Sequence, residues 1–237
     1  MSVVSPLKAL WHRDLASHPT THAWVLNLYR AGERHPQLVD DYFPVERAPW
    51  PELARDLARH RDDERRHDRM YAGAIRKLGE AVVDMDGPDV FNVVIKDCTP
   101  VAFRIDEAAG DDVARTKLAH FLAHAHFLEK RITRSVAYHA EACERAKSPV
   151  ASVVAAVLDD EERHVRYTRD AVTELVGRTE ALRVLDLHGR AEAKANLVFS
   201  AYQVGECMRR FKTEVPALHR ALFRFGALFM QEAAAHV

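Results

Sequence analysis

The chain has 237 residues, with 34 Lys and Arg against 35 Asp and Glu, for a formal net charge of −1 at pH 7. So even a balance gives no general footprint for nucleic acid or an anionic membrane surface, and no apolar run of 18 residues is present to span a bilayer. Hydrophobic residues at 48% beside 29% charged, with few Gly and many Ala, Leu, Arg and Glu, suit one sizeable core and an all-α class. Residues 1–18 read as a short amphipathic lead-in, with Leu7, Leu10, Trp11 and Leu15 at helical spacing. The opening Met1-Ser-Val-Val-Ser-Pro lacks the basic-then-apolar order of a secretory signal, so a cytoplasmic protein is expected.

After Pro19 the pattern predicts a first long helix from about 20 to 35, or onward to Tyr42. Pro36 threatens it, because its ring clashes with the carbonyl four residues back, that of Gly32. A second helix should run from Pro51 to Leu78, stopped by Gly79, with Leu53, Leu57, His60, Glu64, His67, Tyr71 and Ile75 on its inward face. Residues 80–112 read as an irregular crossover, in which Phe91 to Ile95 is either a short strand or a short helix. A third helix is expected over about 112–146 and a fourth from Pro149 to Val176, closed by Gly177. A fifth, about 179–213, and a sixth, about 217–235, carry enough apolar surface to cover a bundle side or build a homodimer.

Asp62-Asp63-Glu64-Arg65-Arg66-His67 recurs as Asp159-Asp160-Glu161-Glu162-Arg163-His164, five letters of six unchanged. In each copy a Glu and a His stand three residues apart, so on a helix both project from one face. A single Glu precedes each copy at nearly the same distance: Glu33 by 31 positions and Glu129 by 32. Turn signals fall near both midpoints, Pro44, Pro49 and Pro51 in one case and Lys147-Ser148-Pro149 in the other. Antiparallel helix pairs would therefore bring Glu33, Glu64, His67, Glu129, Glu161 and His164 into one layer. Four carboxylates balance two divalent ions, and two imidazoles add nitrogen ligation of the kind iron and manganese accept. Glu33 is the least secure of the six, flanked by Gly32 and Pro36. Cys98, Cys143 and Cys207 are scattered singly, with no Cys-x-x-Cys, so no rubredoxin or zinc site is expected.

Two Glu…Glu-x-x-His halves resemble the ferritin-like di-iron carboxylate superfamily, which includes rubrerythrins and di-iron oxygenases. The resemblance covers about residues 20–178 and implies a single ferritin-like domain. It would hold a four-helix metal-binding core, extended by two C-terminal helices over about 179–235. It also implies two iron ions, or manganese or a mixed pair, and roles for Asp63 and Asp160 in holding the opposite motif histidine, His164 and His67 respectively. Tyr71 stands four residues past His67, where the ribonucleotide reductase subunit of the superfamily places its radical tyrosine. Tyr71, Tyr29 and His126 are therefore candidates for redox or pocket roles. The activity implied is dioxygen-dependent oxidation of a small organic substrate with an external electron donor. Manganese catalase, ferroxidase, rubrerythrin-like peroxide scavenging and a non-catalytic metal scaffold are the alternatives.

Overall fold

The structure is a computed structural model that describes residues 4–105 and 110–237. The start of the expected lead-in and residues 106–109 of the expected crossover lie outside the described residues. Among the described residues seven helices follow in order: α1 Val4–Ala16, α2 Pro19–Arg34, α3 Pro51–Lys77, α4 Phe91–Cys98, α5 Asp111–Arg145, α6 Ala151–Arg210 and α7 Ala217–Ala234. Short 3-10 turns occupy His35–Leu38, Val45–Arg47 and Gly87–Asp89, and no strand occurs among the described residues.

Local chemistry sets the helix ends. Pro19 and Pro51 open α2 and α3, where a missing N–H leaves no bond unmade and φ is already helical. Gly79, at φ 79°, closes α3 as the Glu80 N–H donates back to the Ile75 carbonyl. Lys147 takes the same left-handed role after α5 at φ 50°, and Ser148 N–H reaches the Cys143 carbonyl at 2.8 Å. The first long helix does not continue to Tyr42: α2 ends at Arg34 and tightens into a 3-10 turn containing Pro36. The Gln37 side chain donates to the Glu33 carbonyl at 3.1 Å, satisfying an acceptor at the helix end. The ambiguous run after Val90 is the helix α4, whose Phe91 and Ile95 are buried.

Contacts give the helix directions. Tyr29 packs on Tyr71, Arg30 pairs with Asp68 and Glu33 meets His67, so α2 and α3 run antiparallel. At Gly177, φ 75° and ψ 162°, α6 departs from helical geometry, dividing it into two arms. In the first arm Val165 meets His126 of α5; in the second, His188 meets His120 and Asn196 meets Arg131. Numbering along the second arm rises with that of α5, whereas the first arm leaves α5 through the short Lys147 turn and runs against it. The chain therefore folds back at Gly177.

Two apolar slabs bracket a polar layer. One contains Leu53 and Leu57 of α3, Leu118 and Leu122 of α5, and Val172 and Leu175 of α6. The other contains Tyr71 and Ile75, Val136 and Cys143, and Val154 and Val157, from the same three helices. Between them stand His60, Glu64 and His67 of α3, Glu129 of α5, and Glu161 and His164 of α6, all buried. α7 seats Phe223 and Ala227 against Leu15, Trp24 and Met208, while Leu218, Phe225, Leu228 and Phe229 are exposed.

Candidate metal centre

Glu33, Glu64, His67, Glu129, Glu161 and His164 lie together in this layer, each at most 6% exposed. Their ligand atoms form two groups, Glu33–His67–Glu161 and His60–Glu64–Glu129–His164, with all atoms of a group within 4.8 Å of one another. The grouping crosses the sequence halves, because Glu161 joins the residues of α2 and α3, and Glu64 joins those of α5 and α6. His67 Nδ1 lies 3.1 Å from Glu33 Oε2 and 3.2 Å from Glu161 Oε1. His164 Nδ1 lies 3.4 Å from Glu161 Oε2. The Gly32–Pro36 irregularity does not turn Glu33 to solvent, since it is the penultimate residue of α2 and is buried.

The flanking aspartates reach across the repeat. Asp160 Oδ2 lies 3.2 Å from His67 Nε2, and Asp63 Oδ2 lies 3.2 Å from His164 Nε2. Each imidazole thus turns Nε2 to a carboxylate and Nδ1 to the layer, the orientation a metal-bound histidine takes when an outer carboxylate holds its N–H. Arg66 and Arg163 tie the aspartates together: Arg66 contacts Asp63 at 2.8 Å and Asp160, and Arg163 contacts Asp160 at 2.8 Å and Asp63.

Buried acceptors test whether metal ions fit. Glu33 Oε1, Glu129 Oε2, both Glu161 oxygens and His164 Nδ1 are buried with no directed hydrogen bond. Buried polar atoms are ordinarily paired, and so many orphans in one layer fit a donor set arranged for cations. Protonation points the same way. Burial, reinforced by the neighbouring carboxylates, pushes Glu64 and Glu129 well above the usual carboxyl range. Burial raises Glu33 as well, despite His67. Burial would also raise Glu161, but His164 and His67 outweigh it and hold this carboxyl well below that range. Burial disfavours the His67 imidazolium, yet Glu33 and Glu161 push its pKa up to about 12. Protons on the raised Glu33, Glu64 and Glu129 carboxyls and on His67 would therefore compete with any cation bound there.

Three features outrun the sequence pattern. His60, one turn before Glu64, places Nε2 3.1 Å from Glu64 Oε1 and 3.4 Å from Glu129 Oε1. Its Nδ1 meets the Tyr167 hydroxyl at 2.7 Å and its ring stacks on His164 at 3.7 Å. Burial holds His60 neutral, well below the usual histidine range, so it is available as a nitrogen donor. The repeat hides it, because Val157 occupies the matching position before Glu161. The bridging roles of Arg66 and Arg163 were visible only as a fifth shared letter in the motif. The third feature is a group of His22, His139 and Cys143. There Cys143 Sγ lies 3.4 Å from His22 Nε2, and burial keeps the thiol protonated, up to about 12, to donate to a neutral imidazole.

Tyr71 is fully buried with an unpartnered hydroxyl, and its ring stands 5.8 Å from that of Tyr29. The Tyr29 hydroxyl meets Ser135 Oγ at 3.1 Å. His126 is directed away from both groups, with Nδ1 3.0 Å from the Val165 carbonyl, which can only accept. A cavity of about 190 Å3 has Tyr29, Gly32 and Ile132 in its lining, and through Gly32 it reaches the chain neighbour of Glu33, although none of the six layer residues lines it. Compared with known proteins, no family model matches the chain, and neither a curated protein nor a solved structure matches it.

Proposed function

We propose that this chain is an oxidoreductase with a two-metal carboxylate centre that uses dioxygen to oxidise a small organic substrate. The observation that carries the proposal is the pair of crossed Glu/His groups with orphaned buried oxygens. The proposed fold is a ferritin-like bundle of α2, α3, α5 and the first arm of α6, with the second arm and α7 added.

Glu33 with His67 on one side, and Glu129 with His164 on the other, would hold one ion each. Glu64 and Glu161, each grouped with the opposite half, would be shared, and His60 gives the second ion a further nitrogen. When bound, two ferrous or manganous ions supply electrons for reducing dioxygen. Asp63 and Asp160 keep both histidines facing inward, and Arg66 and Arg163 hold those aspartates ionised. The apolar slabs exclude bulk water from the layer, which strengthens each charged contact within it. Tyr71, one turn past His67, packs against Tyr29 and through it towards the cavity. The adjoining cavity favours an enzyme over an inert scaffold, because it offers a substrate a place beside the layer.

Protein reconstituted anaerobically with ferrous iron, or separately with manganese, should hold about two ions per chain and consume oxygen on reduction. His67→Ala and His164→Ala should each lose metal and the oxygen reaction while remaining helical by circular dichroism. Absence of transition metal after reconstitution would refute the centre, and two bound metals without any oxygen reaction would refute the activity.

A further inference from the structure

The wall of that cavity is mainly apolar and aromatic, including Trp11, Trp24, Phe91 and Phe199. Into this wall α5 places a guanidinium. Arg131 Cζ lies 3.8 Å from the centroid of the Phe91 ring and 4.6 Å from that of Phe199. Its Nε donates to Asn196 Oδ1 at 3.2 Å, and no carboxylate pairs with it among the described residues. The residue is enclosed by protein yet retains accessible surface, and it lines the cavity.

An interior arginine normally has a carboxylate partner, because taking an unpaired charge out of water is expensive. The Phe91 and Phe199 rings, set edge to face at 75°, offset part of that cost without consuming its outer N–H donors. The charges nearby leave a surplus. Lys8 of α1 also lines the cavity, and its pKa is lowered by burial and by Arg131 and Arg134. Glu192 of α6 interacts with both Lys8 and Arg131, and burial raises its own pKa. Arg134 is exposed to solvent, which screens it. His12, in the same wall, is kept neutral by burial, with its pKa down at about 3. Lys8 and Arg131 against Glu192 leave one positive charge. A dry cavity of roughly 150 Å3 takes up benzene, so this one has room for a single ring and a small polar group.

We propose that the cavity binds a singly charged organic carboxylate with a compact apolar body about one ring in size. The carboxylate sits on the Arg131 fork and the body extends towards Tyr29 and Gly32. A guanidinium packed against two rings, with its outer N–H groups uncommitted, donates best to a planar, bidentate acceptor. That this acid is the substrate rests on the proposed function; that it binds does not.

Phenylacetate and its neutral isostere phenylacetamide separate the charge from the shape. Each is titrated anaerobically into the full chain as purified, with its metal content recorded, by calorimetry and by the fluorescence of Trp11 and Trp24. We expect phenylacetate to bind at least tenfold more tightly than the amide. Arg131→Met should remove that preference by weakening the acid while leaving the amide within about threefold. Asn196→Asp keeps the guanidinium but places a carboxylate against it, and should also abolish acid binding. It provides the decisive variant if Arg131→Met does not fold. Equal affinities in the unmodified chain, no saturable binding up to millimolar acid, or an acid preference that survives both variants would each overturn the proposal. Phenylacetate bound selectively by a protein that never consumes oxygen would sink the proposed activity and leave this site standing. Oxygen-dependent oxidation of neutral compounds without acid binding would do the reverse.

Discussion

Asp63 shows how much of the centre depends on single atoms. One oxygen faces His164 Nε2 at 3.2 Å while the other meets Arg66 at 2.8 Å. Burial disfavours its charge, but the His164 hydrogen bond and Arg163 outweigh this and lower the carboxyl pKa below its ordinary value. Asp63→Asn preserves the size but removes the charge, and lets an amide N–H face the histidine. Metal affinity should fall about 10- to 100-fold, the usual effect of losing an outer partner of a ligand histidine. Competition with a chelator measures it, and unchanged affinity would detach Asp63 from the centre. The positions brought together here were legible because the motif is written twice: the Asp, Glu and His recur at equal spacing. His60 was legible only as an inward-facing residue, since nothing in the second copy echoes it to mark it as a donor. The two arginines were overlooked for a different reason. Charged residues on helices are usually solvated, and only the cross-helix pairing with both aspartates distinguishes these.

Among the elements, starts and stops were the clearest signals, because Pro and Gly act on the backbone directly. Pro19, Pro51, Gly79 and Gly177 each mark an end or a break. Two readings were left open. Of the two lengths for the first helix the shorter holds, because the helix does not continue past Pro36, where a 3-10 turn takes over. Phe91 to Ile95 was undecidable, since an apolar run that short carries too few repeats to separate a period of 2 from one of 3.6. The slabs beside the polar layer predict how the elements hold it. Leu122 on α5 is wholly buried in the slab that also contains Leu57 and Val172. Leu122→Ala should destabilise by about 2–5 kcal/mol, or roughly 4–20 °C in Tm at about 2–4 °C per kcal/mol for a chain of this size. Metal stoichiometry should not change. A parallel loss of metal would mean that slab and layer are not separable.

At the scale of the molecule, buried titratable groups define a pH window. Burial holds His12 and His124 down at about 3 and His22 and His188 at about 4. Neutral in the fold and protonated in the unfolded chain, they stabilise above the ordinary histidine pKa of about 6.5. That contribution is lost as pH falls, on the order of 2–3 kcal/mol each by pH 4.5, against a total stability of about 5–15 kcal/mol. His67 acts oppositely: raised to about 12, it stabilises fully below about 6.5 and progressively less above, unless metal replaces its proton. Metal-free protein should therefore be most stable near pH 6–7 and unfold by about pH 4.5. The Tm gain on adding metal should increase from pH 6 to 8.5, and scanning calorimetry with and without metal would show a pH-independent gain if the layer were not proton-linked. The turn at Gly177 has a consequence of another kind. A side chain there would meet no atom within 4 Å, so the position is constrained only by its backbone, at φ 75°. Alanine would favour ordinary helical geometry by roughly 1–2 kcal/mol, and a straightened α6 of 60 residues would be about 90 Å long. The second arm and α7 would then leave their own chain, and the vacated surface would be open to the same segment of another molecule. Gly177→Ala should give domain-swapped dimers that accumulate with concentration and dissociate slowly on dilution, measurable by size-exclusion chromatography with light scattering. One glycine would then decide whether each molecule completes its own cavity or borrows the wall from a twin.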